Sequence, residues 1–313
     1  MTTTDINYTF IIPHYNIPEL LIRCLKSIPI RDDIQVIVVD DCSPDADTYK
    51  KRFPELSRPN LEFYSTSKGG SAGRARNVGL DHAKGKWLLF ADADDLFTDK
   101  LEKVLDDNVN AEEDVIYFNV KCVMCDDISQ PTKTGKGLKY NNYFQNIKEN
   151  KSKFICEYPS PWAKIIRKSL VDNYKIRFDE TRWSNDYFFI ASAGLKAKKI
   201  KAVNEVIYYI TEREGSLSHS FCHSMDELLV RTDVAFKVQK LISDSPYKDS
   251  NIIILGFLYK LFLRNKPMFK NYFKKVNTIG LSKMKVIKRL SQFSGSRRYK
   301  LNLWSYVLFH CLI

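Results

Sequence analysis

The sequence predicts an α/β fold, a sheet covered by helices on both faces and followed by a smaller helical region. Three observations support this fold class. In the first 95 residues, short apolar segments alternate with segments of about ten residues that have helical spacing. Polar or acidic side chains directly follow three of the apolar segments. From Met225 onward the pattern becomes helical, and past Asn251 it becomes basic and aromatic.

Four segments in the first part have the composition of buried strands. Their near-continuous aliphatic and aromatic content is typical of parallel strands that helices cover on both faces. Strands that alternate with helices indicate a doubly covered sheet. The predicted strands span residues 8–13, 34–39, 61–64 and 87–91, and the helices between them span residues 19–28 and 71–83.

The middle of the chain continues the same domain with a different order of elements. Residues 114–123 and 200–210 have strand patterns, and residues 162–173 and 186–196 have helical patterns. We therefore predict one domain over residues 1–224, with halves at 1–95 and 96–224, followed by a basic helical region over residues 225–313.

Positive charge is concentrated at the end of the chain. The 313 residues are 44% hydrophobic, which excludes a mainly disordered protein, and they carry a formal charge of +12. Residues 251–313 hold thirteen Lys and Arg and no Asp or Glu, so the first 250 residues have a net charge of −1. A basic, aromatic region on a near-neutral body favours contact with an anionic membrane surface. Ordinary packing of these helices on the domain is the alternative.

The sequence shows no export or membrane-spanning signal. Its first residues lack the charged-then-apolar pattern of a signal peptide. No apolar run reaches the roughly 18 residues of a spanning helix. The seven cysteines have no framework spacing, which suits reduced thiols. We expect a cytoplasmic protein that lies peripherally at the inner face of the cell membrane.

An acidic cluster follows the fourth predicted strand. Asp92, Asp94 and Asp95 place three carboxylates within four residues, where they repel one another unless a cation neutralises them. Hard divalent ions such as Mn²⁺ or Mg²⁺ prefer oxygen ligands and commonly bridge to substrate phosphates. The cluster comes at the end of a core strand, opposite Asp40 and Asp41, which favours a metal site over a solvated turn.

Six segments in order resemble the family 2 glycosyltransferases, inverting enzymes with the GT-A fold. The resemblance covers about the first 220 residues, and its longest piece ends in the acidic cluster. The segments are FIIPHYN, VIVVDDCSPD, GGSAGRARNVGLDHAKGKWLLFADADD, PWAKIIRKSLV, IRFDETRWSNDYFF and YYITEREGSLSHS. The resemblance implies a nucleotide-sugar-binding half at residues 1–95 and an acceptor-binding half at residues 96–224.

The resemblance also implies a donor site for a UDP-sugar. Tyr15 would lie against the uracil face, and Asp41 would accept a hydrogen bond from the uracil ring N–H. Cations near the phosphates would include Arg76, with solvated helix positions as the alternative. The residues expected to bind the donor are Pro13, Tyr15, Asn16, Asp41, Lys68, Arg76, Asp92, Ala93 and Arg213.

Metal and base residues are implied in the same way. Asp94 would ligate Mn²⁺ or Mg²⁺, Asp92 would hold the ribose or the metal shell, and His219 would contact phosphate or metal. Asp186 is the candidate base that removes the proton of the acceptor hydroxyl. The family usually has Glu immediately before this Asp, whereas this chain has Asn185. The replacement affects the contact that the Glu makes more than it affects catalysis.

Together these features predict an inverting, metal-dependent glycosyltransferase. It would move a hexose or N-acetylhexosamine from a UDP-sugar to a glycan acceptor, lipid-linked and destined for a surface polysaccharide or oligosaccharide. Nucleic acid has no role in this reading. A nucleotidyltransferase is one alternative, although PHYNIPE stands where that class has a phosphate loop. A non-enzymatic basic protein that binds lipid or nucleic acid is the other, and it gives the acidic cluster no role.

Overall fold

Eight strands of the described residues form one sheet, and apolar segments of the sequence supply most of it. The structure is a computed structural model that describes residues 5–132, 144, 158–213, 224–248, 252–293 and 297–311. The sheet order is β3-β2-β1-β4-β7-β6-β8-β5. The strands are Tyr8–His14 (β1), Ile34–Asp40 (β2), Leu61–Ser65 (β3), Trp87–Phe90 (β4), Leu96–Phe97 (β5), Val115–Met124 (β6), Lys164–Arg167 (β7) and Ile200–Glu212 (β8).

The sheet is mixed, as the fold class predicts. β1, β2, β3 and β4 run parallel to their neighbours in this group, and β6 runs parallel to β8. β7 joins the two groups and is antiparallel to both β4 and β6, while β5 pairs antiparallel with β8. Every residue of β1 and β2 is buried, which explains why their sequences are apolar almost throughout.

Six α-helices accompany these strands in the described part of the first unit. Pro18 begins the first of them at a position where its missing N–H costs nothing, and Ser71 caps the third by accepting a hydrogen bond from the N–H of Arg74. The helices are Pro18–Lys26 (α1), Ala46–Arg52 (α2), Ala72–His82 (α3), Leu101–Asn108 (α4), Lys168–Asn173 (α5) and Tyr187–Lys196 (α6), with a 3₁₀ turn at Pro54–Ser57.

Close packing of α3 on β1 depends on a glycine. A Cβ atom at Gly79 would lie 2.4 Å from a methyl group of Ile11, well inside van der Waals contact. The absence of a side chain therefore lets the helix approach the sheet. This close approach sets the distance between α3 and β1. It thereby also sets the position of the polar residues of α3, whose contacts are described below.

The second unit is helical and has its own core. The chain divides into two compact units, residues 1–220 and 221–313. Aromatic and aliphatic side chains such as Phe262, Phe269 and Leu303 are buried together in the second unit. Its helices are Met225–Ser243 (α7), Leu255–Arg264 (α8), Lys266–Lys275 (α9), Lys283–Leu290 (α10) and Arg297–His310 (α11), with a 3₁₀ turn at Val276–Ile279.

Among the residues that the structure describes, no helix has the length and apolar character needed to cross a bilayer. The helical character expected from Met225 onward is confirmed. The boundary at residues 224 and 225 and the division at residue 95 stay predictions.

One sequence prediction is wrong in its first half. Residues 162–173 were expected to form a helix, but Lys164–Arg167 is strand β7 and only Lys168–Asn173 is helical. The apolar residues of β7 are needed to fill the space between β4 and β6, so tertiary pairing decides their conformation. The two-residue strand β5 and helix α4 were not predicted at all.

Candidate active site

The candidate site is at the carboxyl edge of the parallel strands. β1 pairs in parallel with both β2 and β4, so the segments that follow these three strands emerge at the same edge of the sheet. These segments carry Tyr15 and Asn16, Asp41, and Asp92 to Asp95. Ligands in open α/β sheets bind in the crevice at this edge.

A buried ion pair fixes the first two segments to each other. The Nδ1 atom of His14 lies 2.8 Å from a carboxylate oxygen of Asp40, and both side chains are fully buried. Asp40 also accepts hydrogen bonds from the backbone N–H and the hydroxyl of Ser43. Burial opposes ionisation of Asp40, but the hydrogen bonds from His14 and Ser43 outweigh it and lower its pKa. Asp40 therefore has a structural role.

Asp41 organises the glycine-rich turn before α3. Its carboxylate accepts hydrogen bonds from the backbone N–H groups of Gly70 and Ser71, both at 2.8 Å, and from the hydroxyl of Thr66 at 3.0 Å. A Cβ at Gly69 would lie 2.9 Å from the Asp41 carbonyl oxygen, so the turn packs directly on this residue. A carboxylate can accept about four hydrogen bonds, which leaves capacity for the predicted uracil N–H.

The other residues of the predicted donor site have varied surroundings. Pro13 is buried in β1 and lies opposite Val39, whereas the Tyr15 side chain is 57% exposed and free to stack on a planar ligand. Asn16 has a positive φ of 50°, and its N–H donates to the Ser43 hydroxyl at 2.7 Å. Lys68 is exposed, and its carbonyl oxygen accepts a hydrogen bond from the Arg74 guanidinium. These roles in donor binding stay predictions.

Two arginines pair with the first two carboxylates of the acidic cluster. Arg76 donates to Asp92 at 2.6 Å, and Arg213 donates to Asp94 at 3.2 Å. Ala93 between them is buried. Burial and the charge of Asp92 raise the pKa of Asp94, although Arg213 opposes this effect. The cluster therefore holds more negative charge than its two arginines relieve.

The third carboxylate, Asp95, faces inward. It accepts a hydrogen bond from the N–H of Thr211 at 2.7 Å, and it also bonds to the hydroxyl of Tyr208. Burial and the charges of Asp94 and Asp92 raise its pKa well above the usual range. The Tyr208 hydroxyl in turn accepts from the N–H of Asp92. Hydrogen bonds from Thr211 and Tyr208 thus hold the Asp95 side chain in place.

Arg23 of α1 supports the same loop from behind. Its guanidinium donates to the carbonyl oxygens of Asp94 at 2.7 Å and of Cys125 at 2.6 Å. The hydroxyl of Thr211 donates to the Asp94 carbonyl as well. The backbone of Asp94 is therefore held by helix α1 and by the end of strand β8. These contacts could not be predicted from the sequence, because an arginine in an amphipathic helix is normally solvated.

The carboxylates of Asp92 and Asp94 fit a divalent ion. Their side chains are 36% and 21% exposed, so both are accessible from solvent. Of the described residues, no group of three or more His, Cys, Asp or Glu forms a complete metal site. Two carboxylates suffice where substrate phosphates complete the coordination, as is common for Mg²⁺. His219, the third predicted ligand, lies outside the described residues.

Helix α3 presents a polar face to the segment that leads to Asp186. The hydroxyl of Ser71 donates to the Thr181 carbonyl, and Asn77 makes reciprocal hydrogen bonds with the backbone of Phe178. A Cβ at Gly73 would lie 2.0 Å from the Asp179 carbonyl oxygen, which explains the glycine at this point of contact. The segment GGSAGRARN therefore positions residues 178–185.

Arg76 connects the acidic cluster to the candidate base. Besides its bond to Asp92, the buried guanidinium donates to the Asn185 side-chain oxygen at 2.8 Å and lies 5.4 Å from the centre of the Phe178 ring. Asn185, which replaces the usual Glu of the family, thus contacts an arginine of the enzyme. Arg74 instead pairs with Glu180 at the surface, which agrees with the solvated helix alternative.

Asp186 immediately precedes α6 but does not cap it with its side chain. Burial raises the pKa of its carboxyl group, and Asp92 adds to this effect, whereas Arg76 and Lys164 oppose it. A partly desolvated carboxylate with an elevated pKa is suited to accept a proton near neutral pH.

Backbone strain is concentrated around the site. Five non-glycine residues of the described chain have a positive φ, and four of them flank the segments discussed above: Asn16, Cys42, Ala163 and Ser184. Such conformations cost about 1–2 kcal/mol per residue and persist where the surroundings impose them. We did not predict these strained conformations from the sequence. We also did not predict that Lys164 is buried, although its position within an apolar segment could have indicated this.

The chain is similar to known proteins over most of its length. The model of glycosyl transferase family 2 matches residues 9–175. The succinoglycan biosynthesis protein ExoO of Rhizobium meliloti is 25% identical over 243 residues, 73% of this chain and 67% of that protein. The poly(ribitol-phosphate) beta-N-acetylglucosaminyltransferase TarS of Staphylococcus aureus is 27% identical over 274 residues, 82% of this chain. The chain spans only 44% of the length of TarS.

Solved structures share the fold. Residues 1–349 of S. aureus TarS, in complex with UDP-GlcNAc, superpose with a TM-score of 0.63 and 22% identity, covering 97% of this chain and 89% of that one. The mannosyltransferase PcManGT of Pyrobaculum calidifontis, in complex with GDP-Man and Mn²⁺, gives 0.53 and 17% identity over 98% of this chain and 86% of that one. The predicted GT-A fold is confirmed. With the family model covering more than half of the chain, the protein belongs to glycosyl transferase family 2 and is a glycosyltransferase.

Proposed function

We propose that the protein transfers a hexose or N-acetylhexosamine from a UDP-sugar to a glycan acceptor, with inversion and with Mn²⁺ or Mg²⁺ bound. The observation that carries this proposal is the bridge through Arg76, which joins Asp92 of the acidic cluster to Asn185 beside Asp186. This bridge supports a site in which the acidic cluster would hold the leaving group and Asp186 would take the proton. Because the chain belongs to this family, the non-enzymatic and nucleotidyltransferase alternatives are no longer supported.

The donor would occupy the carboxyl edge of β1, β2 and β4. Tyr15 would stack on the uracil, and Asp41 would accept its N–H. TarS, which shares the fold, binds UDP-GlcNAc and UDP in its solved structures, and this supports a uridine donor. Lys68 and Arg213 are the cations that we expect to meet the diphosphate, with His219 as a further candidate.

Asp94 and Asp92 would hold the divalent ion. When bound, the ion would neutralise the diphosphate as the bond to the sugar breaks. Arg76 would keep the Asp92 carboxylate oriented, and the hydrogen bonds of Arg23 and Thr211 would keep the Asp94 backbone in place. The solved PcManGT complex with GDP-Man contains Mn²⁺, which supports a metal in this fold.

Asp186 would remove the proton of the attacking acceptor hydroxyl. The acceptor oxygen would attack the anomeric carbon on the face opposite UDP, so an α-linked donor would give a β-linked product. A base that works in this way must be ionised before the acceptor binds. The positive charges of Arg76 and Lys164 favour that ionised form.

The acceptor would be a surface polysaccharide or oligosaccharide carried on lipid. The named relatives act in succinoglycan biosynthesis and on poly(ribitol-phosphate), both polymers rather than small molecules. We further propose that the basic second unit binds the anionic inner face of the cell membrane from the cytoplasm. In α11, Leu301, Leu308 and Phe309 are exposed at helical spacing that places them on one face.

The donor proposal is tested by a screen of UDP-sugars, GDP-mannose and CMP-sugars that measures release of the nucleotide. The screen is run with Mn²⁺, with Mg²⁺ and with EDTA. Release from one UDP-sugar that stops in EDTA is the expected result. Asp94→Asn should weaken Mn²⁺-dependent UDP binding in calorimetry, and the exposed control Asp99→Asn should not. Release that persists in EDTA would remove the metal from the proposal.

The membrane proposal is tested with liposome sedimentation. Vesicles with 30% anionic lipid should retain the wild type (roughly 1 kcal/mol per basic residue near the surface), and neutral vesicles should not. The variant Leu301→Asp/Leu308→Asp/Phe309→Asp should sediment less while its nucleotide release is unchanged. Equal binding to anionic and neutral vesicles would contradict an electrostatic contact.

A further inference from the structure

Lys164 is a buried cation that the proposed reaction has not yet used. It begins β7 in the segment PWAK, and only 1% of the residue is exposed. Lysine is almost never buried unless its ammonium group has partners, because removal of a charge from water is costly. Its position therefore calls for a reason beyond the pairing of β7 with β4 and β6.

Every neighbour of the Lys164 side chain suits an ammonium ion. The Nζ atom donates to the carbonyl oxygen of Ser160 and lies 3.5 Å from that of Trp162. The same atom lies 4.0 Å from the centre of the Tyr158 ring and 5.2 Å from that of Tyr117. Carbonyl oxygens and aromatic faces attract a positive charge. They therefore interact more strongly with the ammonium ion than with the neutral amine.

The hydrogen bonds of Lys164 also hold a strained segment beside the site. Ala163, immediately before the lysine, has a positive φ of 53°, which is rare for a residue with a Cβ. Trp162 stacks on Tyr208 with their ring centres 5.6 Å apart and their planes 10° apart. Tyr208 in turn contacts the backbone of Asp92. The lysine thus fixes the backbone that supports the acidic cluster from one side.

The charge of Lys164 acts on the candidate base. Three charged side chains influence Asp186 from three different elements: Arg76 on α3, Asp92 after β4 and Lys164 on β7. Burial lowers the pKa of Lys164 well below its usual range, and the negative charge of Asp186 opposes this change. Each of the two groups therefore favours the charged form of the other.

We propose that Lys164 is a positioning residue for the glycosyl transfer: its buried ammonium holds residues 158–164 in their strained course and keeps the neighbouring Asp186 carboxylate ionised. This inference rests on the proposed function, in which Asp186 is the base. Lys164 acts through Asp186 and contacts neither donor nor acceptor. Its removal should therefore change proton transfer and leave nucleotide binding intact.

The test compares Lys164→Met, which keeps an unbranched stem without charge, with Lys164→Arg, which keeps the charge. Lys121→Met, an exposed lysine on the adjacent strand β6, is the matched control. We measure kcat and KM for nucleotide release from the donor identified above, the pH profile of kcat/KM, and the Kd of UDP.

We expect Lys164→Met to lower kcat severalfold at neutral pH, because a smaller fraction of Asp186 is then ionised. Loss of a positive charge raises the pKa of Asp186, so the acid limb of the profile should move to higher pH and the deficit should shrink in alkali. Lys164→Arg should keep the limb in place, and UDP affinity should stay within about twofold of wild type. A folded Lys164→Met with an unmoved acid limb would overturn the inference.

A second measurement covers the case in which Lys164→Met does not fold. The ε-carbon resonance of Lys164, shifted by the Tyr158 ring, is followed against pH in protein labelled with ¹³C-lysine. In Asp186→Asn the pKa of Lys164 should be lower than in wild type, and an unchanged pKa would refute the coupling. Full transferase activity in Asp186→Asn would instead refute the base, so failure of either idea can be recognised separately.

Discussion

The guanidinium of Arg76 and the carboxylate of Asp92 form an ion pair that joins the acidic cluster to the segment before Asp186. Their hydrogen bond is 2.6 Å long, and the arginine side chain is only 6% exposed. The same guanidinium bonds to Asn185, so one planar group holds two segments that are distant in sequence. Lysine cannot reproduce this forked geometry.

Arg76→Lys should therefore impair catalysis although it preserves the charge. We expect kcat to fall by about 10²-fold, because a misplacement of about 1 Å at a reacting group has that effect. Steady-state kinetics checks the prediction. Arg74→Lys, which changes a half-exposed pair with Glu180, is the matched control and should retain most activity. Equal losses in the two variants would contradict a special role for Arg76.

Asp186→Asn should abolish most transfer while the protein still binds UDP. General base catalysis contributes roughly 10²–10⁴-fold, and kcat should fall by about that factor. In the wild type, activity should decline as the pH falls through the pKa of Asp186. Burial raises that pKa, so the decline should begin above the usual range of an Asp carboxyl. A pH profile of kcat/KM measures it, and a flat acid limb would argue against this base.

Gly73→Ala should disturb the approach of α3 to the base segment. The new Cβ would lie 2.0 Å from the Asp179 carbonyl and 2.9 Å from the Asn185 Cβ, so the backbone must move. We expect a loss of about 1–3 kcal/mol in the free energy of unfolding and a reduced kcat. Gly256→Ala is the control, since nothing lies within 4 Å of its Cβ, and it should be neutral or stabilising. Denaturant unfolding of the two variants would show the difference.

Asp40→Asn should destabilise the fold more than it affects chemistry. It removes the charged partner of buried His14 and should cost about 2–3 kcal/mol in the free energy of unfolding. The pKa of Asp40 is lower in the folded state than in the unfolded chain. Its stabilisation is therefore present above the unfolded pKa and is lost as the pH falls through the folded value. Unfolding curves from pH 3 to 7 should converge for wild type and variant at the acid end.

The sheet and the principal site carboxylates could be predicted because their signals are local. A buried strand such as Ile34–Asp40 can be recognised from its apolar composition. The motif around Asp92 and Asp94 is specific enough to identify a family. The family resemblance also selected Asp186 and Arg76. Arg76 bonds to Asp92 at the carboxyl edge of the sheet, and Asp186 follows Asn185, which bonds to Arg76. The roles of these residues in donor binding and catalysis stay predictions.

The remaining features depend on distant contacts that leave little trace in the sequence. Strand β7 has an apolar pattern compatible with a helix, and its pairing with β4 and β6 decides between the two. Arg23 looks like a solvated helix residue, yet it bonds to the Asp94 backbone 71 positions away. From the sequence, Asn185 was expected only to remove the contact that the family's Glu makes. Its bond to Arg76 forms because α3 packs on residues 178–185, which the sequence does not reveal.

The stereochemistry of the first product tests the central claim most directly. ¹H NMR is used to follow turnover of the α-linked UDP-sugar selected by the donor screen in the presence of an acceptor, and the anomeric proton of the new glycosidic bond is read. A single displacement assisted by Asp186 predicts a β-configured product, with a large anomeric coupling for a gluco-configured sugar, and almost no product from Asp186→Asn. An α-configured product, or equal turnover by Asp186→Asn, would contradict the account.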